Sequence, residues 1–173
     1  MATAVLILIA LVLGIAIFTD LRSGRIPNSL TFSVMALSLI VHAGIGGLEG
    51  VLFSLAGLST GFGLFILVYL IGGMGAGDVK LMAAVGSILG TSGALVSGIL
   101  AIVVGGIYAL GAMCYQWGFV EMCRKLALAT YGIFLPGGKG WSYDLQLPFR
   151  LRYGLAIAAG TLLFSLGFNP FGG

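Results

Sequence analysis

Long runs of apolar residues alternate along this chain with short stretches that hold most of its polar residues. The six apolar runs lie at about residues 2–18, 30–45, 51–73, 79–91, 94–115 and 151–168. A membrane-spanning helix needs about 20 apolar residues, with a range of about 17–25, and most of the runs meet this requirement. The run at 79–91 is clearly short, so we expect its helix either to begin earlier, near Met74, or to end inside the bilayer. The pattern predicts an all-α, polytopic integral membrane protein with about six transmembrane helices.

The basic residues fall only in alternate connections between these runs or at the edges of those connections. They are Arg22, Arg25, Lys80, Arg124, Lys125, Lys139, Arg150 and Arg152. The other connections, 44–50 and 91–93, contain no lysine or arginine. Cytoplasmic loops of membrane proteins carry an excess of basic residues. We therefore expect a multi-pass protein of the cytoplasmic (inner) membrane with both termini outside the cytoplasm.

The segment 116–148 is too polar to cross the membrane. Its charged residues and its apolar residues fall on opposite faces of a helix: Glu121, Arg124 and Lys125 on one, Phe119, Met122, Cys123 and Leu126 on the other. This pattern predicts one amphipathic helix that lies in the cytoplasmic interface.

Composition narrows the class of protein further. Hydrophobic residues make up 60% of the chain, charged residues make up 8%, and the mean hydropathy is +1.17. A length of 173 residues predicts a single domain over 1–173. The net charge is +3, and the basic residues that produce it lie between apolar runs. This placement favours anionic lipid headgroups over nucleic acid as a partner. Cys114 and Cys123 lack the spacing of a C-x-x-C or zinc motif, so we expect free thiols.

Two aspartates lie where an apolar run meets a short polar stretch. Asp20 follows the first run and Asp78 precedes the fourth, so both are predicted on the cytoplasmic side. Ionisable residues in membrane segments are costly and usually mark function. Two neighbouring carboxylates can share a proton and perform acid/base chemistry on a water molecule. Asp20 and Asp78 are therefore candidate catalytic residues, and their chemistry requires neither a metal nor an organic cofactor.

Each aspartate also has a purely structural explanation. Asp78 follows the glycines of Gly75-Ala76-Gly77 and could serve only as a helix N-cap. Asp20 could form a surface ion pair with Arg22 or Arg25, which would contribute about 0–1 kcal/mol.

Three other polar residues have simple expected roles. We expect Asn28 to cap the second helix after Pro27, and Lys80 to extend towards the membrane interface. His42, the only histidine, is expected at the opposite interface, where it is too far from the aspartates for a Ser-His-Asp triad.

The residues around both aspartates resemble the prepilin peptidases of the GxGD aspartic class. The matching stretches are Asp20-Leu21-Arg22…Ile26-Pro27-Asn28 and Gly73-Met74-Gly75-Ala76-Gly77-Asp78-Val79-Lys80-Leu81. They are most similar to the short TadV/CpaA-like form that serves tight-adherence (Flp) pili. The likeness is strong from about Gly14 to Gly90. It is weaker over 153–158, where Arg152 stands in place of the proline that usually precedes the family's last helix.

The resemblance implies a leader peptidase with Asp20 and Asp78 as its catalytic residues. It implies that Gly75, Gly77, Lys80 and Arg22 belong to the motif and the substrate approach. The substrate would be a type IV-like prepilin, cut after a glycine at the cytoplasmic face of the membrane. The paired C-x-x-C motifs of the family's methyltransferase segment do not occur in this sequence, so the resemblance implies peptidase activity without N-methylation.

Two other functions stay open at this point. A small proton-coupled transporter could use both aspartates as a relay, and a non-catalytic pilus-assembly subunit could use neither. For the peptidase, the helix dipole favours Asp78 as the ionised base and Asp20 as the protonated partner. The charges of Arg22 and Arg25 instead favour the ionised form of Asp20, and a coupled pair titrates as a unit.

Overall fold

The computed structural model of the protein describes residues 2–24, 26–70, 74–118, 120–124 and 153–167. Its helices are α1 (Ala2–Ser23), α2 (Asn28–Leu70), α3 (Ala76–Trp117) and α4 (Tyr153–Ser165). These described parts of the chain contain no strand, and the predicted all-α class is confirmed for them.

The helix α2 folds back on itself at Gly47. The backbone there has φ 56° and ψ −131°, close to the first central residue of a type II′ turn, which strongly favours glycine. In an unbroken helix, Ser38 and Ser54 would be about 24 Å apart along the axis. Their Oγ atoms are only 3.4 Å apart, and the His42 ring stacks on Phe53 with 5.2 Å between centroids. The element is therefore two antiparallel segments joined by a tight turn.

The helix α3 reverses in the same way at Gly90, where φ is 72°. A Cβ on Gly86 would lie 3.2 Å from the Ala94 Cβ, although an unbroken helix would separate these residues by about 12 Å. The two reversals divide α2 and α3 into four segments, and these correspond with α1 and α4 to the six apolar runs. The fourth segment begins at Ala76, before the apolar run at 79–91, which agrees with the first of the two expected alternatives.

The surface of the helices is strongly apolar. Both α2 and the range Ala76–Gln116 are long and apolar enough to cross a membrane. Large apolar side chains such as Ile40, Leu48 and Ile107 are exposed on these helices. Contiguous exposed apolar surface of this kind is typical of contact with lipid or with another protein.

The second half of α2 crosses the first half of α3 with the two backbones in direct contact. A Cβ on Gly57 would overlap the carbonyl oxygen of Gly86, and a Cβ on Gly61 would meet the carbonyl of Met82. Small residues allow this approach between membrane helices. The α3 residues 81–88 are all buried. A helix that is buried on every side is surrounded by other elements, so the first half of α3 lies at the centre of the helices that pack around it.

The chain separates into two compact units, residues 1–105 with 151–173 and residues 106–150. In the second unit the structure describes the end of α3 and the helical residues 120–124, where Arg124 Nη2 donates to Glu121 Oε1 at 2.8 Å. Cys114 and Cys123 are free thiols, as expected. Most of the predicted interfacial helix in 116–148 lies outside the described residues.

The crossing of α2 and α3 generates a test of stability. Gly57→Ala should lower the free energy of unfolding by about 1–3 kcal/mol, because the new methyl group meets backbone that cannot move aside. Gly63→Ala is the matched control, since no atom lies within 4 Å of a Cβ at that position. Thermal unfolding of the purified variants in one detergent measures the difference. Equal stability of the two variants would contradict the close crossing.

Candidate active site

Asp20 lies in the last turn of α1, on the face that the helix buries. The buried residues Ile9, Val12, Leu13 and Ala16 form a helical stripe, and Asp20 continues it one turn later with 8% of its surface exposed. The helix ends just beyond, because Gly24 has a φ of 62° and its N–H donates to the Asp20 carbonyl at 2.9 Å. This is the left-handed glycine cap of many helices. The local sequence therefore places a carboxylate at the end of a buried face.

Asp78 lies in the first turn of α3 and has 7% of its surface exposed. The Gly75 N–H donates to its Oδ2 at 3.2 Å, and the Asp78 N–H donates to the Gly75 carbonyl at 3.1 Å. Gly75 is thus the N-cap residue, and Asp78 is the third helical residue reaching back, as in one half of a capping box. Asp78 therefore does help to cap α3, as its structural explanation proposed, but it does so from the third helical position and not from the N-cap position. A Cβ added to Gly75 would lie 3.4 Å from Oδ2 of this carboxylate.

The first turn of α4 contacts Asp20 and lies within electrostatic range of Asp78. A Cβ on Gly154 would lie 3.3 Å from Asp20 Oδ2. The preceding residue, Tyr153, interacts electrostatically with Asp78. Both aspartates therefore lie near the beginning of α4. α1 packs against α4 and, less extensively, against α2, which supports this placement.

A second contact joins the chain segments that carry the aspartates. A Cβ on Gly77 would lie 3.3 Å from the Ile26 Cβ, so the connection between α1 and α2 packs against the first turn of α3. Ile26 is buried there, with 8% of its surface exposed. Gly77 is therefore a packing glycine, whereas the half-buried Gly75 has the Asp78 carboxylate as its near neighbour.

Asn28 does not cap α2, contrary to the expectation from sequence. The Thr31 N–H donates to the Pro27 carbonyl at 3.4 Å, which makes Pro27 the N-cap position and Asn28 the first helical residue. The Asn28 Oδ1 instead accepts a hydrogen bond from Lys80 Nζ at 2.9 Å. The Lys80 ammonium also lies 5.6 Å from the centroid of the Phe32 ring. Lys80 therefore has partners inside the protein and does not simply extend to an interface.

Arg22 is exposed at the end of α1. In the described part of the chain it forms no ion pair with Asp20, and Arg25 lies outside the described residues. The burial of Asp20 makes a surface ion pair with Arg22 a poor explanation for this carboxylate.

His42 belongs to a separate polar cluster. Its Nδ1 lies 2.8 Å from the Ser38 carbonyl, and the Ser38 hydroxyl donates to the Ser87 carbonyl at 2.7 Å. At 1.5 Å per residue, Ser87 lies about 13 Å along α3 from Asp78. The α3 residues between them include the buried Leu81, Met82 and Val85. An apolar layer therefore separates the histidine cluster from the aspartates.

The arrangement can perform acid/base chemistry with two carboxylates. Both lie at helix ends in largely apolar surroundings, and two carboxylates that come close together in such a place can share a proton. Among the described residues, no group of three or more His, Cys, Asp or Glu side chains could hold a metal ion.

The sequence analysis included Ile26 and the stretch 153–158 in the family likeness, but it did not predict the contact of Ile26 with Gly77 or of Gly154 with Asp20. One feature of the sequence could have indicated where the start of the last helix lies. If six helices alternate in direction, the start of the last one lies at the same end as Asp20 and Asp78.

The chain is similar to a known protein family over more than half of its length. The model of the type IV leader peptidase family matches residues 7–110, which are more than half of the chain and include both aspartates. Comparisons with curated proteins and with solved structures gave no match. The resemblance that the motifs around Asp20 and Asp78 indicated is confirmed, and the chain belongs to the type IV leader peptidase family.

Proposed function

We propose that the protein is an aspartic endopeptidase that removes the short leader from type IV-like prepilins of the Flp, or tight-adherence, class. It cuts after a glycine, at the cytoplasmic face of the inner membrane, with Asp20 and Asp78 as the catalytic pair. The observation that carries the proposal is the burial of two carboxylates near the beginning of α4, within a chain of a leader peptidase family.

The proposed reaction uses one ionised and one protonated aspartate. The ionised carboxylate takes a proton from water as the water oxygen bonds to the scissile carbonyl carbon, and the protonated partner gives its proton to the carbonyl oxygen. In the resulting tetrahedral intermediate, the carbonyl re-forms as the carbon–nitrogen bond breaks. One proton goes to the leaving amine and one returns to the pair. The pair thus ends with a single proton, as it began.

The assignment of base and acid changes when the structure is considered. The helix dipole of α3 favours negative charge at Asp78. The first turn of α4 lies against Asp20, so a helix N-terminus is close to that carboxylate as well. Helix dipoles therefore do not distinguish the two residues, and we treat them as a pair that holds one proton.

The substrate approach is assigned to Gly75 and Arg22. Gly75 leaves open the space beside Asp78, where a peptide with small residues before the cut could extend. Arg22 is exposed just before Gly24, at the same end of α1 as Asp20. Gly77 contributes by packing against Ile26.

The topology follows from the two reversals. We infer six membrane spans, because Gly47 and Gly90 divide each long helix into two antiparallel segments. The placement of basic residues then puts both aspartates on the cytoplasmic side. A prepilin helix in the same bilayer would present its leader at this face. The short lengths of some segments suit a site that lies slightly inside the interface.

The transporter alternative receives less support. A proton-coupled transporter needs polar groups that continue across the membrane. The apolar layer of Leu81, Met82 and Val85 lies between Asp78 and the nearest part of the histidine cluster.

Replacing either aspartate tests the catalytic pair. Asp20→Asn and Asp78→Asn should each lower prepilin cleavage by about 10⁴-fold or more, and the double variant should be no worse, because both residues act as one unit. The carboxamide introduced by Asp78→Asn would keep an oxygen acceptor for the Gly75 N–H, so the protein should remain folded. Leader removal from a co-expressed Flp-type prepilin, followed on a gel, gives the result. Substantial turnover by either single variant would exclude the aspartic mechanism.

Narrowing the approach beside Asp78 tests the role of Gly75. Gly75→Val should lower cleavage about 100-fold, because a displacement of about 1 Å in the bound peptide has an effect of this size. The backbone donor to Asp78 is kept in this variant. Ala76→Val, at the exposed next residue, is the matched control. Wild-type cleavage by Gly75→Val would assign this glycine to helix packing alone.

Single cysteines test the topology, in a background with both native cysteines changed to serine. Ser23→Cys should react with a membrane-impermeant maleimide only when the cytoplasmic face is open, and Glu49→Cys should react in intact cells whose outer membrane is permeable. Both positions are exposed. Reaction of both cysteines from the same face would remove the six-span arrangement.

A further inference from the structure

The Lys80 ammonium connects the first turns of α3 to the first turns of α2. Its Nζ donates to Asn28 Oδ1 at 2.9 Å and lies 5.6 Å from the centroid of the Phe32 ring. Helical residues two positions apart do not face each other, so the ammonium is not directed at Asp78 on the same helix. A hydrogen bond with a charged donor is stronger than a neutral one, and an ammonium within about 6 Å of an aromatic ring is attracted to it. Both partners belong to the first turns of α2.

This contact lies next to the one between Ile26 and Gly77. Ile26 belongs to the connection that follows Asp20, and Gly77 immediately precedes Asp78. Two contacts therefore fix the same pair of chain segments: Ile26 on Gly77, and Asn28 on Lys80. The first is apolar and has no preferred orientation, whereas the second has a defined direction. Together they connect the beginning of α2, and the residues just before it, to the first turns of α3.

We propose that Lys80 is a positioning residue that holds Asp20 and Asp78 at their working separation through Asn28 and Phe32. The inference rests on the proposed function, because it concerns the same pair of carboxylates. Lys80 then acts through the start of α2 and does not touch the substrate, in contrast to the substrate-approach role that the family motif suggested. The two roles give different results when Lys80 is changed.

A disulfide trap measures the position of the two segments without any catalysis. The chain carries Ile26→Cys and Gly77→Cys, with Cys114 and Cys123 changed to serine. The Cβ separation of 3.3 Å is close to the range of about 3.5–4.5 Å found in disulfides. Copper phenanthroline in air oxidises the two thiols, and the rate of disulfide formation is read from labelling of the remaining thiols.

Lys80→Met and Asn28→Leu should each slow disulfide formation by about 10-fold, the factor that corresponds to about 1.4 kcal/mol. The double variant should be no slower than either single variant, because both remove one hydrogen bond. Lys80→Arg should restore most of the rate, since a guanidinium also donates to the amide oxygen and stacks on a ring. Arg124→Met, which removes a basic residue from the exposed ion pair with Glu121, is the control and should leave the rate unchanged.

Cleavage kinetics of a Flp-type prepilin in detergent micelles complete the test, in the chain with its native Ile26 and Gly77. Lys80→Met should lower kcat by about 10- to 100-fold with KM unchanged, because misplaced catalytic groups slow the chemical step. Lys80→Arg should recover most of kcat. A raised KM with an unchanged disulfide rate would overturn the proposal and return Lys80 to the substrate approach. An unchanged rate with unchanged kinetics would overturn it as well.

Failure of the proposed function gives a different result. Suppose that the wild-type chain cleaves no prepilin, but Lys80→Met slows disulfide formation and Lys80→Arg restores it. The positioning of the two segments by Lys80 is then supported, and the proposed peptidase reaction is wrong. If the trap with native Lys80 forms no disulfide, the contact of Ile26 with Gly77 is wrong, and the positioning role is wrong with it.

Discussion

The structure depends on the contact of two helix backbones at Gly57 and Gly86. In a bilayer, apolar side chains gain little from leaving lipid for protein, so helices associate by close packing and by hydrogen bonds. Two glycines without side chains permit that closeness, and the Ser38 hydroxyl adds a hydrogen bond to the Ser87 carbonyl. The position of α3, and therefore of Asp78 at its start, follows from this crossing.

Small residues also place the other components of the site. A Cβ on Gly160 would meet the backbone of Ala101, and a Cβ on Gly105 would meet the ring of Tyr153. α4 is thus held close to the second half of α3, with its first turn against Asp20. The helices supply a rigid frame with charged residues at their ends, where the polar backbone groups of helix termini are available to them. The site is therefore built from residues of α1, α3 and α4 that are distant in sequence.

The sequence predicted the helices well and the contacts between them less well. Six apolar runs appear in the structure because the length of an apolar segment is a local property. Asp20 and Asp78 were identifiable because charge is rare in this chain and costly in a membrane. The Asn28 side chain was expected to serve its own helix, since capping rules consider only neighbours in sequence. Its actual partner, Lys80, is brought to it by tertiary packing. Gly154 was missed for the same reason, because a glycine gives no local sign of which side chain will approach it.

The hydrogen bond from the Gly75 N–H to the Asp78 carboxylate connects a chemical event to a movement of the backbone. A charged acceptor holds an N–H more strongly than a neutral one. In the proposed reaction, each transfer of a proton to Asp78 therefore loosens the Gly75 end of α3, and each loss of the proton tightens it again. Linkage of this kind is reciprocal. A peptide that draws the Gly75 backbone towards itself would make Asp78 a better proton acceptor, so that the arrival of the substrate itself would shift the proton of the pair towards Asp78.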